Sequence, residues 1–239
     1  MVRGPEEMTH VAGEGRGWGP VPVPIDLGIG CAENVVADES LLRAALAGAR
    51  VAVLGDVAVS VGVGVSPAEA YLSRARAAAC PVVRRSTGGS GLLHAPGDLA
   101  WTVVLPRRDP RIGGSYLAAY PRLGSGVSQF LEAFGVDARW IPAPGLSANY
   151  CTLSARGHVL MVGDRVLGGA AQHLTQNALL HHGFLPRTLD RPLIGRIFDL
   201  PGTDGVDRLT CLEELGLNEP AERQAEELAH ALAEQLERR

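Results

Sequence analysis

Arg84-Arg85-Ser86-Thr87-Gly88-Gly89-Ser90-Gly91-Leu92-Leu93-His94 gathers two guanidiniums, a run of hydroxyls and glycines, and an imidazole in one short stretch. The apolar lead-in Pro81-Val82-Val83 reads as a strand that delivers the arginines to a turn whose small residues let backbone N–H groups approach a ligand closely. That is chemistry for holding a carboxylate or a phosphate. It is neither a Walker loop, which would continue into Gly-Lys-Ser/Thr, nor a dinucleotide fingerprint, whose glycine spacing differs. A tight hairpin turn between two core strands uses the same residue types, so spacing alone leaves both readings open.

A second set of reactive types follows downstream. Cys151 ends the aperiodic segment Pro142 to Cys151, and Gly168-Gly169-Ala170-Ala171-Gln172 and His181-His182-Gly183 come after it. A thiol with an ordinary pKa of about 8.5 is partly thiolate at neutral pH and needs little activation to serve as a nucleophile. His158, His181 and His182 are the histidines that could assist it, and the order of residues does not choose among them. An incidental, buried cysteine is the plainer reading, and it fits Cys31, Cys80 and Cys211. His181 and His182, adjacent on an apolar run, point to opposite faces if that run is a strand, so at most one reaches a pocket. His94 reads more readily as a structural histidine than as a catalyst. With no CxxC pair, and no aspartate or cysteine at ligand spacing from the histidines, no metal site is expected.

All 22 of the Lys+Arg residues are arginine, so no mechanism that needs a lysine ammonium from this chain is available. A net charge of −4 and an isoelectric point near 6.0 supply no phosphate-tracking stripe and argue against a nucleic-acid partner. A hydrophobic share of 46% is enough for a packed core and excludes a disordered chain. No run approaches the roughly 20 apolar residues of a membrane span, and the chain does not begin as a secretory signal does, so a cytoplasmic protein without a membrane partner is expected.

The positioning elements follow from local patterns. Residues 1 to 24 are rich in Gly, Pro and Glu without periodicity and read as a flexible arm, with a single domain over 25–239. Asp38 to Leu46 has helical spacing and stops at Gly48. Val51 to Leu54 and Val57 to Val63 are β-branched runs around Gly55-Asp56, which predicts a hairpin. Ser66-Pro67-Ala68-Glu69 predicts a capping box and a helix over Pro67 to Ala79. Asp98 to Leu105 and Arg139 to Ile141 read as strands, with one or two helices between Gly114 and Phe134 interrupted near Pro121. His158 to Val162 and Arg165 to Leu167 flank a Gly163-Asp164 turn, and Ala178 to Leu185 is a further strand. Asn218 is placed to cap a helix from about Glu219, on which Leu228, Leu232 and Leu236 form one apolar stripe.

Taken in order, RRSTGGSGLLH, a hairpin running into GGAAQ, and LLHHGFL resemble the lipoate–protein ligase, octanoyltransferase and biotin ligase superfamily, over about Glu33 to Leu185. The resemblance implies a mixed α/β (α+β) fold whose largely antiparallel sheet is flanked by helices and lines an acyl-binding tunnel. It assigns Arg84, Arg85, Ser86, Thr87, Gly88, Gly89 and His94, with Gly168, Gly169 and Ala170, to the pocket for the acyl group or adenylate. Ser90 replaces the third glycine of the pattern. Cys151 matches the loop nucleophile of the cysteine-dependent octanoyltransferase branch, with His182 as its expected partner. The lysine that relatives carry just before the glycine pair is Val166 here, and the adjacent Arg165 points to the other face of a regular strand.

These matches imply an acyltransferase that takes an octanoyl- or lipoyl-like group from an acyl carrier protein or coenzyme A thioester and passes it to an amine. The acceptor would be a lipoyl-domain protein or a small-molecule amine, and no bound cofactor would be required. Two alternatives go with Val166: a non-catalytic protein that binds acylated or lipoyl-domain partners, and an ATP-dependent ligase in which an arginine replaces the lysine.

Overall fold

The computed structural model describes residues 22–113, 115, 117–146, 149–154, 157–200, 202 and 205–238; the predicted N-terminal arm lies almost entirely outside them. Its larger sheet is built from β1 (Ile25–Ile29), β2 (Gly48–Leu54), β6 (Leu99–Pro106), β7 (Ala138–Pro142), β8 (His158–Val162), β9 (Arg165–Leu174) and β10 (Ala178–Leu185). They lie in the order β1-β2-β6-β10-β9-β8-β7, antiparallel throughout except for the β1/β2 pair. A smaller sheet, β4-β3-β5, joins β3 (Ala58–Val61), β4 (Val82–Arg84) and β5 (Gly91–His94).

The larger sheet is covered on both faces, so β6 reads LAWTVVLP rather than as an alternating strand. On one face, Leu99, Trp101, Val103 and Leu105 pack under α4 (Ser125–Ala133) and α6 (Ala221–Glu237). The stripe Leu228, Leu232 and Leu236 is the face that α6 buries. On the other face, α1 (Cys31–Ala44) covers Val104 and Leu180 through Leu42. A second core lies among the small sheet, α2 (Ala70–Ala77), α5 (Arg191–Phe198) and the loop around Tyr150.

Several local expectations are corrected. Gly55-Asp56 is not a hairpin turn, because β2 and β3 belong to different sheets. Gly55 donates its N–H to Ile29 and lies so close to Gly28 that a Cβ would stand 2.4 Å from the Gly28 carbonyl oxygen. Asp56 caps α1 instead, its Oδ1 accepting the Cys31 N–H at 2.8 Å. Helix α1 therefore starts seven residues before the predicted Asp38, with no local Ser, Thr or Asp to announce it. Helix α2 begins at Ala70, since Glu69 has an extended backbone, and Ser66 Oγ accepts only the nearby Ala68 N–H. The break expected at Pro121 falls at Gly124, between α3 (Ala119–Leu123) and α4. Pro121 sits in the first turn of α3, where a missing N–H costs nothing. Pro220 precedes α6, while the Asn218 side chain donates to the Gly216 carbonyl.

Candidate active site

Between the small sheet and the α1-covered face of the large one lies a cleft of about 670 Å³, counting its open mouth. Its walls come from α1, β2, β3, β5, β6, β8, β9, β10 and the loop before β8, so residues distant in sequence meet there. Of the residues expected at the site, Arg85, His94, Cys151, Gly169, Ala170 and His182 line it.

Cys151 opens a short 3-10 turn, Cys151–Leu153, and is half-buried. The segment just before it is tied down by a bridge from Tyr150 to Gly91 and by Asn149 Nδ2 donating to the Phe198 carbonyl. Gly89, at φ +97°, passes beneath the thiol so closely that a Cβ there would stand 2.4 Å from Sγ. That position needs glycine for both conformation and space. Cys31 lines the same cleft but is a different kind of thiol, pushed up to about 12 by burial and by Asp56. Burial likewise raises Cys80 and Cys211, which stand outside the cleft lining.

Arg85 is the cleft's guanidinium. Only 5% exposed, it spreads its donors over Thr87 Oγ1 from Nε (3.1 Å), Ser60 Oγ from Nη1 (3.1 Å), and the Gly88 and Ser90 carbonyls from Nη2. Nη2 also faces Cys151 Sγ at 3.5 Å. Among the described residues no carboxylate pairs with it. The group that this carboxylate-free guanidinium faces is the thiol. His94, edge-on to Phe184, meets Ser60 Oγ at 2.8 Å and is lowered to about 3 by burial and by Arg85, so it is a neutral partner.

His182 meets Asp38 Oδ2 through Nδ1 at 2.8 Å and Thr87 Oγ1 through Nε2 at 2.9 Å. Thr87 Oγ1 already accepts from Arg85, so its one hydrogen is available for Nε2. The network therefore assigns His182 the tautomer that donates from Nδ1 to Asp38. His181, fully buried on the opposite face, lies against Trp101 and Tyr120 and is lowered to about 3 by burial first, then by His182 and His158. His158 lines the cleft and stacks on Tyr120.

The other expected residues take supporting places. Arg84 does not line the cleft; its Nη1 donates to the carbonyls of Gly62, Val63 and Val65 and staples that loop. The stapled loop meets the glycine turn, where Val63 N–H bonds the Thr87 carbonyl. Ser86 is not on the cleft wall, and Gly88 contributes its carbonyl to Arg85. Gly168 lets β9 approach β10, since a Cβ would lie 2.4 Å from the Phe184 oxygen. Val166 is buried in the second core. A β-bulge does follow at Leu160/Met161, yet Arg165 turns outward to Glu214 at 3.0 Å. Neither supplies a cation to the cleft.

Sequence reasoning did not single out Cys31, Asn34 and Asp38, which line the cleft together. Their spacing of i, i+3 and i+7 is a helical face and was the available signal.

A family model described as the lipoyl protein ligase A/B catalytic domain matches residues 32–236. Octanoyltransferase LipM of Exiguobacterium sp. (strain ATCC BAA-1283 / AT1b) is 29% identical over 154 residues, 60% of this chain and 55% of the relative. That of Symbiobacterium thermophilum is 30% identical over 162 residues, 64% of this chain and 58% of the relative. The chain thus spans little more than half the length of these curated relatives. Among solved structures, a lipoate-protein ligase A bound with ATP superposes with a TM-score of 0.73 at 20% identity, over 91% of this chain and 85% of that one. A bi-partite lipoate protein ligase from Thermoplasma acidophilum, solved in a study of that ligase and its E2 lipoyl domain, gives 0.70 at 18%, over 91% and 84%. At such identities the likeness shows the fold.

Proposed function

This chain belongs to the lipoyl protein ligase A/B catalytic-domain family, and from that premise we propose that it is a cysteine-dependent acyltransferase. Cys151 takes an octanoyl-like group from an acyl carrier protein or coenzyme A thioester and passes it to an amine. The observation that carries this reading is the half-buried Cys151 thiol on the cleft wall, facing the Arg85 guanidinium at 3.5 Å.

In the first half-reaction the Cys151 sulfur attacks the thioester carbonyl carbon. The new C–S bond forms, the donor's C–S bond breaks, and the donor leaves as a thiol carrying the proton. In the second half-reaction an amine attacks the acyl-Cys151 carbon, the bond to Sγ breaks, and an amide forms. Arg85 stands where negative charge gathers on sulfur in both steps, and a preorganised cation of this kind lowers the barrier. Leu54, Leu92, Val159 and Phe184 give the cleft apolar walls suited to an alkyl chain.

Adenylation fits less well. Arg85 is engaged by Thr87, Ser60, Gly88 and Ser90, Val166 is in the core and Arg165 holds Glu214, so among the described residues of the cleft no free guanidinium is offered to a triphosphate. A thioester arrives already activated and needs none. For the acceptor, the names of the relatives and the lipoyl domain studied with the T. acidophilum ligase favour a lipoyl-domain lysine.

The test is incubation of the protein with octanoyl–acyl carrier protein and octanoyl–coenzyme A, followed by intact mass. An octanoyl adduct that vanishes in Cys151→Ala is expected. No adduct with either donor would overturn the reading in favour of a non-catalytic acyl-binding protein.

A further inference from the structure

We propose that Asp38 is a positioning residue for Cys151, acting at a distance through His182, Thr87 and Arg85. The proposal rests on the reading of Cys151 as the acyl-accepting nucleophile and adds the residues that aim its cation.

A continuous hydrogen-bonded string joins the two. Asp38 Oδ2 meets His182 Nδ1 at 2.8 Å, His182 Nε2 meets Thr87 Oγ1 at 2.9 Å, Thr87 Oγ1 accepts from Arg85 Nε at 3.1 Å, and Arg85 Nη2 faces Cys151 Sγ at 3.5 Å. Its ends are directional, because a guanidinium only donates and a carboxylate only accepts. Asp38, 3% exposed, is itself held by Arg50 Nη1 at 2.9 Å and Thr102 Oγ1 at 2.6 Å. Arg50 is anchored in turn by Asp26 and Asn34. The string therefore ends on a rigid point where α1, β2 and β6 meet.

This arrangement gives His182 a role other than proton acceptor for the thiol. Both ring nitrogens are occupied, and Thr87, which occupies Nε2, is 1% exposed. His182 is a spacer. A guanidinium is planar, so fixing Nε at Thr87 and Nη1 at Ser60 sets the direction of Nη2. A second, shorter string, His94 to Ser60, holds Nη1. When the bond between Sγ and the acyl carbon breaks in transfer, the electron pair stays on Sγ opposite Nη2 and the amine's proton leaves to solvent.

The experiment is the rate of iodoacetamide alkylation of Cys151 in the full chain at neutral pH, followed by intact mass and peptide assignment. It uses the wild type and Thr87→Val, Thr87→Ser, Asp38→Asn and Arg85→Ala. Thr87→Val keeps the shape and removes the hydroxyl. It is expected to slow Cys151 alkylation about tenfold, with Asp38→Asn about threefold, the range in which indirect coupling falls. Thr87→Ser should restore the rate. General loosening of the fold would instead speed alkylation of Cys31, Cys80 and Cys211, which the string predicts stay protected.

An unchanged Cys151 rate in Thr87→Val and Asp38→Asn, alongside a loss in Arg85→Ala, would overturn the proposal while leaving acyl transfer intact. Slowed alkylation in the string variants of a protein that loads no octanoyl group would support the string and remove the acyl-transfer reading.

Discussion

His181 and His182 are consecutive on β10 and live in opposite surroundings. His182 faces the cleft, where Asp38 and Thr87 occupy both its nitrogens. His181 faces the helices, wholly buried among Trp101, Trp140 and Tyr120, with Nδ1 meeting Gln172 Nε2 at 3.0 Å and Nε2 without a partner among the described residues. One imidazole is part of a directional string that ends on a thiol; the other is packed as if it were an aromatic. The strand's alternation separates them, and it separates the sheet into a face built for chemistry and a face built for packing.

The largest expected effect would break that division if it failed. Arg85→Ala removes the donor that faces Cys151 and strands the oxygens of Thr87, Ser60, Gly88 and Ser90. Loss of one preorganised donor costs about 100-fold in rate, so octanoyl loading of Cys151, read by intact mass against time, should fall by about that factor. His181→Phe, one residue from His182 but on the other face, should load at nearly the wild-type rate per folded molecule. Equal losses in the two variants would mean that the faces do not act separately.

The same division explains what could be read from the sequence. Strand β10 was legible as Ala178 to Leu185, and so was the Gly163-Asp164 turn, because the first is a short apolar run and the second follows from turn chemistry. The α6 stripe was legible for the same reason. Gly55-Asp56 misled because its partners, Gly28 and Cys31, stand 25 or more residues away and impose a use that no turn rule anticipates. Arg84 and Arg85 are adjacent and identical in type, yet one staples a loop of carbonyls and the other faces the thiol. Only the strand pairing of β4 decides which is which. Asp38 was legible as a helix residue but not as the end of a string, since Arg50, Thr102 and His182 reach it from three separate strands, β2, β6 and β10.

A smaller effect sharpens the packing face. Burial lowers His181 and His94 to about 3, whereas in the unfolded chain a histidine titrates near 6.5. Between those values the unfolded state binds protons that the native state refuses, so stability is lost as pH falls through 6.5 toward 3. For one such group the loss between pH 7 and pH 4 is on the order of 2–3 kcal/mol. Asp109 and Glu214, held low by Arg111 and Arg191, weaken the fold in acid as well, so the informative quantity is a difference between variants. His181→Phe should show a shallower decline in urea-unfolding free energy from pH 7 to pH 4 than the wild type. An identical decline would mean that His181 is protonated in the native state.

Asp98 carries the smallest effect and the opposite sign. It lies at the start of β6, where its oxygens accept the backbone N–H groups of Ala95 and Arg187, yet burial raises it to about 7. The native state therefore binds a proton that the unfolded chain, with an ordinary Asp near 3.9, has already released at neutral pH. Stability from this group is fully present below the unfolded value and is lost as pH rises through about 7. From pH 6 to pH 8 the wild type should lose about 1 kcal/mol through Asp98, while His181 and His94, whose unfolded forms still titrate near 6.5, return a similar amount, so the two nearly cancel. Asp98→Asn cannot ionise, and although it forfeits one of the two N–H contacts and some absolute stability, its unfolding free energy should rise over that interval by about 1 kcal/mol more than the wild type's. Together the three groups make stability climb toward about pH 7 and level off above it, the loss through Asp98 offsetting the gain through the imidazoles. A pH 6 to pH 8 profile in Asp98→Asn that runs parallel to the wild type's would mean that Asp98 is ionised in its buried site.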